Sequence, residues 1–124
     1  MSLQKLLSDL EYDIICGTSD IDVKSITNDS RKTQGGCLYF AIPGAKVDGA
    51  SFIPDVIRNG AAVIITEKDE EGLTEILEAD MAARGDFEGL DDDSVTVVHV
   101  DNARYAMGMI SSQFYGNPSR ELTE

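Results

Sequence analysis

Leu3, Leu6, Leu7 and Leu10 recur at the spacing of one helical face, and Ser2 precedes them as a cap, so the chain is expected to open with a short amphipathic helix. Val23-Lys24-Ser25-Ile26-Thr27 is rich in β-branched residues and predicts a short strand over 22–27, running into the polar, turn-prone Asn28-Asp29-Ser30-Arg31. After the break at Gln34-Gly35-Gly36, residues 37–42 form an almost continuous apolar run ending at Pro43-Gly44. That is the pattern of a strand buried on both faces. Residues 44–49 read as a loop with two glycines, one lysine and an Asp-Gly turn. Ser51 is expected to cap a helix through Arg58, with Pro54 tolerated in its first turn and Asn59-Gly60 as the stop. Ala61–Thr66 predicts a second two-sided strand, which makes residues 38–66 a right-handed βαβ unit.

Leu73, Ile76, Leu77 and Met81 then share a helical face, with acids on the others, so a solvated amphipathic helix is expected, followed by an acidic loop over 85–93. Val95–Val100 predicts a third parallel strand, and Asp101-Asn102 a cap for a helix from Ala103 to about Tyr115. Gly116-Asn117-Pro118-Ser119 ends that helix, and residues 120–124 enter an extended segment, an ending that reads as a domain boundary. The sum is a small layered α/β domain over residues 1–124, with a mostly parallel sheet flanked by helices.

Composition agrees: 124 residues, 42% hydrophobic and 27% charged, suit one soluble domain with a real core. The net charge of −13 argues against nucleic acid or an anionic membrane surface as partner. Yet residues 67–94, an acidic insertion, hold twelve acids and two bases, a net of −10, and the rest of the chain only −3. A phosphate-bearing ligand elsewhere therefore stays open. Cys16 and Cys37, with no CxxC or His/Cys cluster around them, are expected to be buried, reduced thiols. No apolar run is long enough to span a bilayer, and a cytoplasmic location is expected.

Spacing alone assembles no catalytic group and no metal site. The single histidine, His99, lies within an apolar strand, where a hydrogen-bonded structural role is expected. GxxxxGK[ST] and GxGxxG are both absent, so the residues suggest a binder rather than a complete catalyst. The two loops leaving strand ends, 27–31 and 44–49, are the candidates, because α/β folds place ligands at that edge. Thr27-Asn28-Asp29-Ser30-Arg31 offers hydroxyl, amide and guanidinium donors for a phosphate; the same residues also suit an Asx-type turn with an ion pair through Asp29 or Arg31. Lys46, between two glycines, either neutralises a ligand phosphate or is simply solvated.

Taken in order, residues 25–31, Gly36 to Gly44, Asp48-Gly49, Phe52-Ile53 and Asn59 to Ile65 resemble the amino-terminal domain of the Mur ligases, in particular the MurE type. The matched patterns are T-x-D-S-R, G-D-L-F-x-A, G-x-x-x-D-G and G-A, and Phe114-Tyr115-Gly116-Asn117-Pro118-Ser119 is similar to the Y-x-x-P-S that precedes the strand leading to that family's ATP loop. Cys37 stands where the family usually has Asp and Tyr39 where it has Phe, and neither change is expected to touch the ligand loops.

The resemblance implies one part of a three-domain cytoplasmic enzyme of peptidoglycan synthesis. This domain would hold the UDP end of UDP-N-acetylmuramoyl-dipeptide, a central domain would bind ATP and Mg²⁺, and a third would admit the amino acid, the chain acting as a monomer alongside the remaining domains. ATP would phosphorylate the substrate's terminal carboxylate, and the amine of a diamino acid would attack the acyl phosphate. Carried across, Ser30 resembles the pyrophosphate-binding serine and Asn28 lies where the uridine is met. Ala45, Lys46 and Val47 match the second ligand loop, and Asp29, Arg31, Asp48 and Gly49 support the two loops. The alternatives are a MurF-type ligase, against which the 115–119 ending argues, and a non-catalytic nucleotide-sugar-binding module.

Overall fold

Four strands run parallel in one sheet, and a fifth closes its far edge in the opposite sense. The structure is a computed structural model and describes residues 2–8, 10–18, 20–43, 49–84 and 95–115. In chain order the strands are β1 (Asp13–Cys16), β2 (Ser25–Thr27), β3 (Cys37–Ala41), β4 (Val63–Thr66) and β5 (Thr96–His99). The sheet order is β1-β5-β4-β3-β2, with β1 antiparallel to β5 and every other pair parallel. The α-helices are α1 (Leu3–Leu6), α2 (Ile53–Arg58), α3 (Glu70–Arg84) and α4 (Ala103–Tyr115).

The continuous apolar runs of β3 and β4 are what a two-sided sheet requires, because alternate side chains enter different layers. Leu38 and Phe40 pack with Val63, Ile65 and Val98 under α1 and α4. Cys37, Tyr39 and Ala41 pack with Ile64 and Val97 under α2 and α3. In register, Leu38 lies beside Val63 and Phe40 beside Ile65, so each layer is continuous across the strands. The acidic helix α3 docks through buried Leu73, with Ile76 and Leu77 partly covered, and an Arg58–Asp80 ion pair ties it to α2.

The expected elements depart from the structure in four places. The first helix ends at Leu6, and Leu10 is reached by a turn in which its N–H donates to the Leu7 carbonyl. Strand β1 was not anticipated: Asp13-Ile14-Ile15-Cys16 is four residues at a sheet edge with no polar–apolar alternation. Ser51 does not cap α2, because a 3-10 turn over Gly49–Phe52 runs straight into it and Phe52 takes the cap position without a side-chain bond. Neither cysteine forms a disulfide, but only Cys37 is fully buried, Cys16 being half-buried beside the Val95 carbonyl. The expected acidic loop 85–93, loop residues 44–48 and the ending after Tyr115 lie outside the described residues. Among the described residues no helix is long and apolar enough to cross a membrane.

His99 is held as a structural side chain: its Nδ1 lies 3.1 Å from the Lys68 carbonyl, with Asp101 3.9 Å from Nε2. The α4 N-terminus is closed by Asn102, whose side chain accepts the Tyr105 N–H at 3.0 Å, and by Glu67, which accepts the Ala103 N–H at 2.8 Å.

Candidate functional site

Strands β2 and β3 are parallel neighbours, so the chain leaves both at the same edge of the sheet, and there a cleft of about 500 Å³ opens. Asn28, Asp29, Ser30 and Arg31 form one side; Tyr39, Ile42, Gly49 and Phe52 complete the lining. The structure thus gathers both predicted loops on one cleft through Asn28–Arg31 and Gly49. Ala45, Lys46, Val47 and Asp48 lie outside the described residues. A smaller hollow of about 300 Å³, lined by Leu10, Glu11, the turn over residues 100–102 and the first turn of α4, carries Glu11 and Asp101 and suits a phosphate less well.

The first loop is built by short-range hydrogen bonds. Thr27 Oγ1 accepts the Asp29 N–H at 3.1 Å, and the Asp29 carboxylate accepts the Arg31 backbone N–H at 2.9 Å. Arg31 then folds back so that Nε and Nη2 each donate to Asp29 at 3.1 Å. This is the Asx-type turn with its ion pair, and it fixes the chain as a single 3-10 turn over Ser30–Lys32. The side-chain and backbone bonds from Arg31 hold the Asp29 carboxyl below the usual carboxylate range, and the same pair raises Arg31. The pair carries no net charge at the cleft, and the Arg31 side chain stays 88% exposed.

Ser30 opens the turn, and its hydroxyl is engaged by none of the described residues. Its carbonyl, by contrast, is anchored: Thr33 Oγ1 donates to it at 2.7 Å, and Asn59 Nδ2 donates to Thr33 Oγ1 at 2.8 Å. Asn59 sits at the end of α2, so the helix beside the cleft positions the serine. The sequence marked Asn59 only as a helix stop, and nothing in the local pattern around Thr33 signals its role.

Tyr39 corrects a second expectation. It does touch the second loop, since its hydroxyl donates to the Gly49 carbonyl at 3.0 Å. Cys37, on the same side of β3, makes a turn contact: its Sγ accepts the Gln34 N–H at 3.3 Å. Among the described residues no group of three His, Cys, Asp or Glu side chains is placed to hold a metal ion.

Comparison with known proteins places this geometry. A family model described as "Mur ligase family, catalytic domain" matches residues 22–115. The UDP-N-acetylmuramoyl-L-alanyl-D-glutamate–2,6-diaminopimelate ligase 1 of Clostridium acetobutylicum is 32% identical over 122 residues, 98% of this chain and 21% of its own length. The enzyme of the same name from Caldanaerobacter subterraneus subsp. tengcongensis is 34% identical over 123 residues, 99% of this chain and 21% of its own length. The chain therefore spans about a fifth of the curated relatives it matches. Among solved structures, crystal structure II of MurF from Acinetobacter baumannii superposes with a TM-score of 0.60 at 21% identity, covering 90% of this chain and 20% of that one, a likeness of fold. By the family match and the whole-chain identity to diaminopimelate ligases, the chain belongs to the Mur ligase family.

Proposed function

We propose that this chain is the amino-terminal, UDP-sugar-binding domain of a MurE-type ligase and holds UDP-N-acetylmuramoyl-dipeptide in the cleft between the 28–31 turn and Gly49. One observation carries the reading: at the end of two parallel strands, a turn presents a Ser30 hydroxyl that none of the described residues engages, beside an exposed Arg31 guanidinium paired with Asp29. A pyrophosphate carries about two negative charges near pH 7 and is held by hydroxyl and guanidinium donors together. Asn28, exposed on the same turn, supplies an amide that both donates and accepts, as a uracil edge demands. Ile42, Tyr39 and Phe52 add apolar surface for the base or sugar. In the second loop Ala45, Lys46 and Val47 would complete the contacts, Lys46 with its charge, and Asp48 would support the turn.

The parent is proposed to be a cytoplasmic, ATP-dependent acid–amino-acid ligase of peptidoglycan synthesis that adds the third residue of the stem peptide, the relatives being named for 2,6-diaminopimelate. ATP and Mg²⁺ would belong to parts of the parent beyond these residues, since the chain has no GxxxxGK[ST] loop. The MurF reading is weaker, because the MurF likeness is one of fold at 20–21% identity whereas whole-chain identity of 32–34% goes to the diaminopimelate ligases.

Calorimetric titration of the 124-residue chain with UDP-N-acetylmuramoyl-L-Ala-D-Glu tests the proposal. Ser30→Ala removes a hydrogen bond to a charged group, worth about 1.5–3 kcal/mol, and is expected to weaken binding about tenfold or more. Equal affinity in wild type and Ser30→Ala removes the serine from the site.

A further inference from the structure

Tyr39 is buried to 1% exposure in β3, where the ring packs in the α2–α3 layer and also lines the cleft. Its hydroxyl donates to the Gly49 carbonyl at 3.0 Å, while the Gly49 N–H donates to the Ile42 carbonyl at 3.0 Å. Both backbone polar groups of Gly49 are thus bonded to β3 or to the residue just after it. The approach is close: a Cβ on Gly49 would stand 2.6 Å from the Ile42 carbonyl oxygen and 2.7 Å from its nitrogen, so no side chain fits between loop and strand end. The departing end of the same loop is held from the other layer, where Arg104 Nη2 donates to the Pro43 carbonyl at 3.1 Å.

We infer that Tyr39 is a positioning residue of the cleft: its hydroxyl fixes Gly49 as the wall opposite the Ser30 turn, and so sets the affinity for a nucleoside-diphosphate sugar while acting through the backbone of the second loop. The inference rests on the reading of the cleft as the UDP-sugar site. A wall already ordered spares the ligand the entropy of ordering it, whereas a wall that has lost the bond to the Gly49 carbonyl is freer and must be ordered on binding. The sequence pattern alone made Tyr39 a neutral replacement for phenylalanine; the hydroxyl is the difference.

Tyr39→Phe in the 124-residue chain tests this, since it keeps the ring in the core and removes one oxygen. Two quantities are read: Kd for UDP-N-acetylmuramoyl-L-Ala-D-Glu by calorimetry, and exchange of the Gly49 amide by NMR without ligand. The expected result is a folded variant whose Gly49 amide exchanges about tenfold faster and whose Kd rises about three- to tenfold. A role confined to the core would lower the urea midpoint and leave Kd alone. Binding within about twofold of wild type overturns the inference, as do unchanged Gly49 exchange and a variant that fails to fold, because the hydroxyl would then serve the fold instead of the cleft. If the wild-type chain binds no UDP-sugar, the cleft reading falls and the inference with it; if wild type binds and Tyr39→Phe binds alike, the inference alone falls.

Discussion

Thr33→Val isolates the device that holds the Ser30 turn. Thr33 is 9% exposed, and valine has nearly its shape, so the substitution exchanges a hydroxyl for a methyl without opening a cavity. Two hydrogen bonds disappear: the one given to the Ser30 carbonyl at 2.7 Å and the one accepted from Asn59 Nδ2 at 2.8 Å. At about 0.5–1.5 kcal/mol net for each, the loss is about 1–3 kcal/mol. Asn59 is exposed and its amide regains water, and the Ser30 carbonyl keeps two contacts at 3.4 Å, from the Thr33 N–H and Asn59 Nδ2. Both facts favour the lower half of that range, about 1–2 kcal/mol. Urea unfolding followed by circular dichroism, with a slope of about 2 kcal/mol per molar, should then show a midpoint about 0.5–1 M lower, and Thr33→Ser, which keeps the hydroxyl, should recover most of it. A double-mutant cycle sharpens the test. Asn59→Ala should cost less in the Thr33→Val background than in wild type, because its partner is already gone. A Thr33→Val chain with the wild-type midpoint, or strictly additive effects with Asn59→Ala, would refute the reasoning.

Gly49→Ala forces a Cβ to within 2.6–2.7 Å of Ile42 backbone atoms and is expected to cost about 1–3 kcal/mol in urea unfolding, whereas Gly35→Ala, with nothing within 4 Å, should stay within about 0.5 kcal/mol; equal midpoints would contradict the close approach. Asp29 has its folded pKa lowered by Arg31, so its stabilising contribution is fully present above the unfolded value of about 3.9 and is lost as pH falls through the folded value. The stability difference between wild type and Asp29→Asn should therefore be flat from neutral pH to about 5 and shrink below about 4; a difference that grows on acidification contradicts the pairing. Burial pushes the Cys37 thiol up, so native protein treated with iodoacetamide at pH 7.5 should carry at most one adduct, on Cys16, and urea-unfolded protein two. Prompt labelling of Cys37 in the native state would show that the β3 layer is open.

The parts of the fold legible in the sequence are those with a strong period or a strong stop. β3 and β4 announced themselves as apolar runs between glycines and prolines, and α4 ran over Ala103–Tyr115 as its spacing predicted. β1 stayed hidden because its order comes from pairing with β5, a partner at the other end of the chain, and not from its own four residues. The Ser51 cap failed for a related reason: a 3-10 turn pinned to β3 through Gly49 decides where α2 begins. At the cleft, Asn28–Arg31 and Gly49 were found because polar turns at strand ends are visible in one dimension. Tyr39, Thr33 and Asn59 were not, since each acts through a bond to a residue on a different element or turn, and neither hydropathy nor spacing encodes that partner.

The antiparallel strand β1 has a kinetic consequence. Asp13 lies beside His99 and Cys16 beside Val97, so β1 waits for a segment made much later in the chain before it can be paired. Loop closure over so long a stretch is slow, and until β5 is made the Val63-Ile64-Ile65 edge of β4 has no neighbour on that side. On the ribosome, a nascent chain that has not reached Thr96 thus presents a bare apolar strand to other chains, and aggregation competes with folding for as long as translation pauses within the acidic stretch. The dense negative charge carried by α3 is well placed in sequence for that interval, since it gives the half-made chain a strong mutual repulsion when its sheet is least complete.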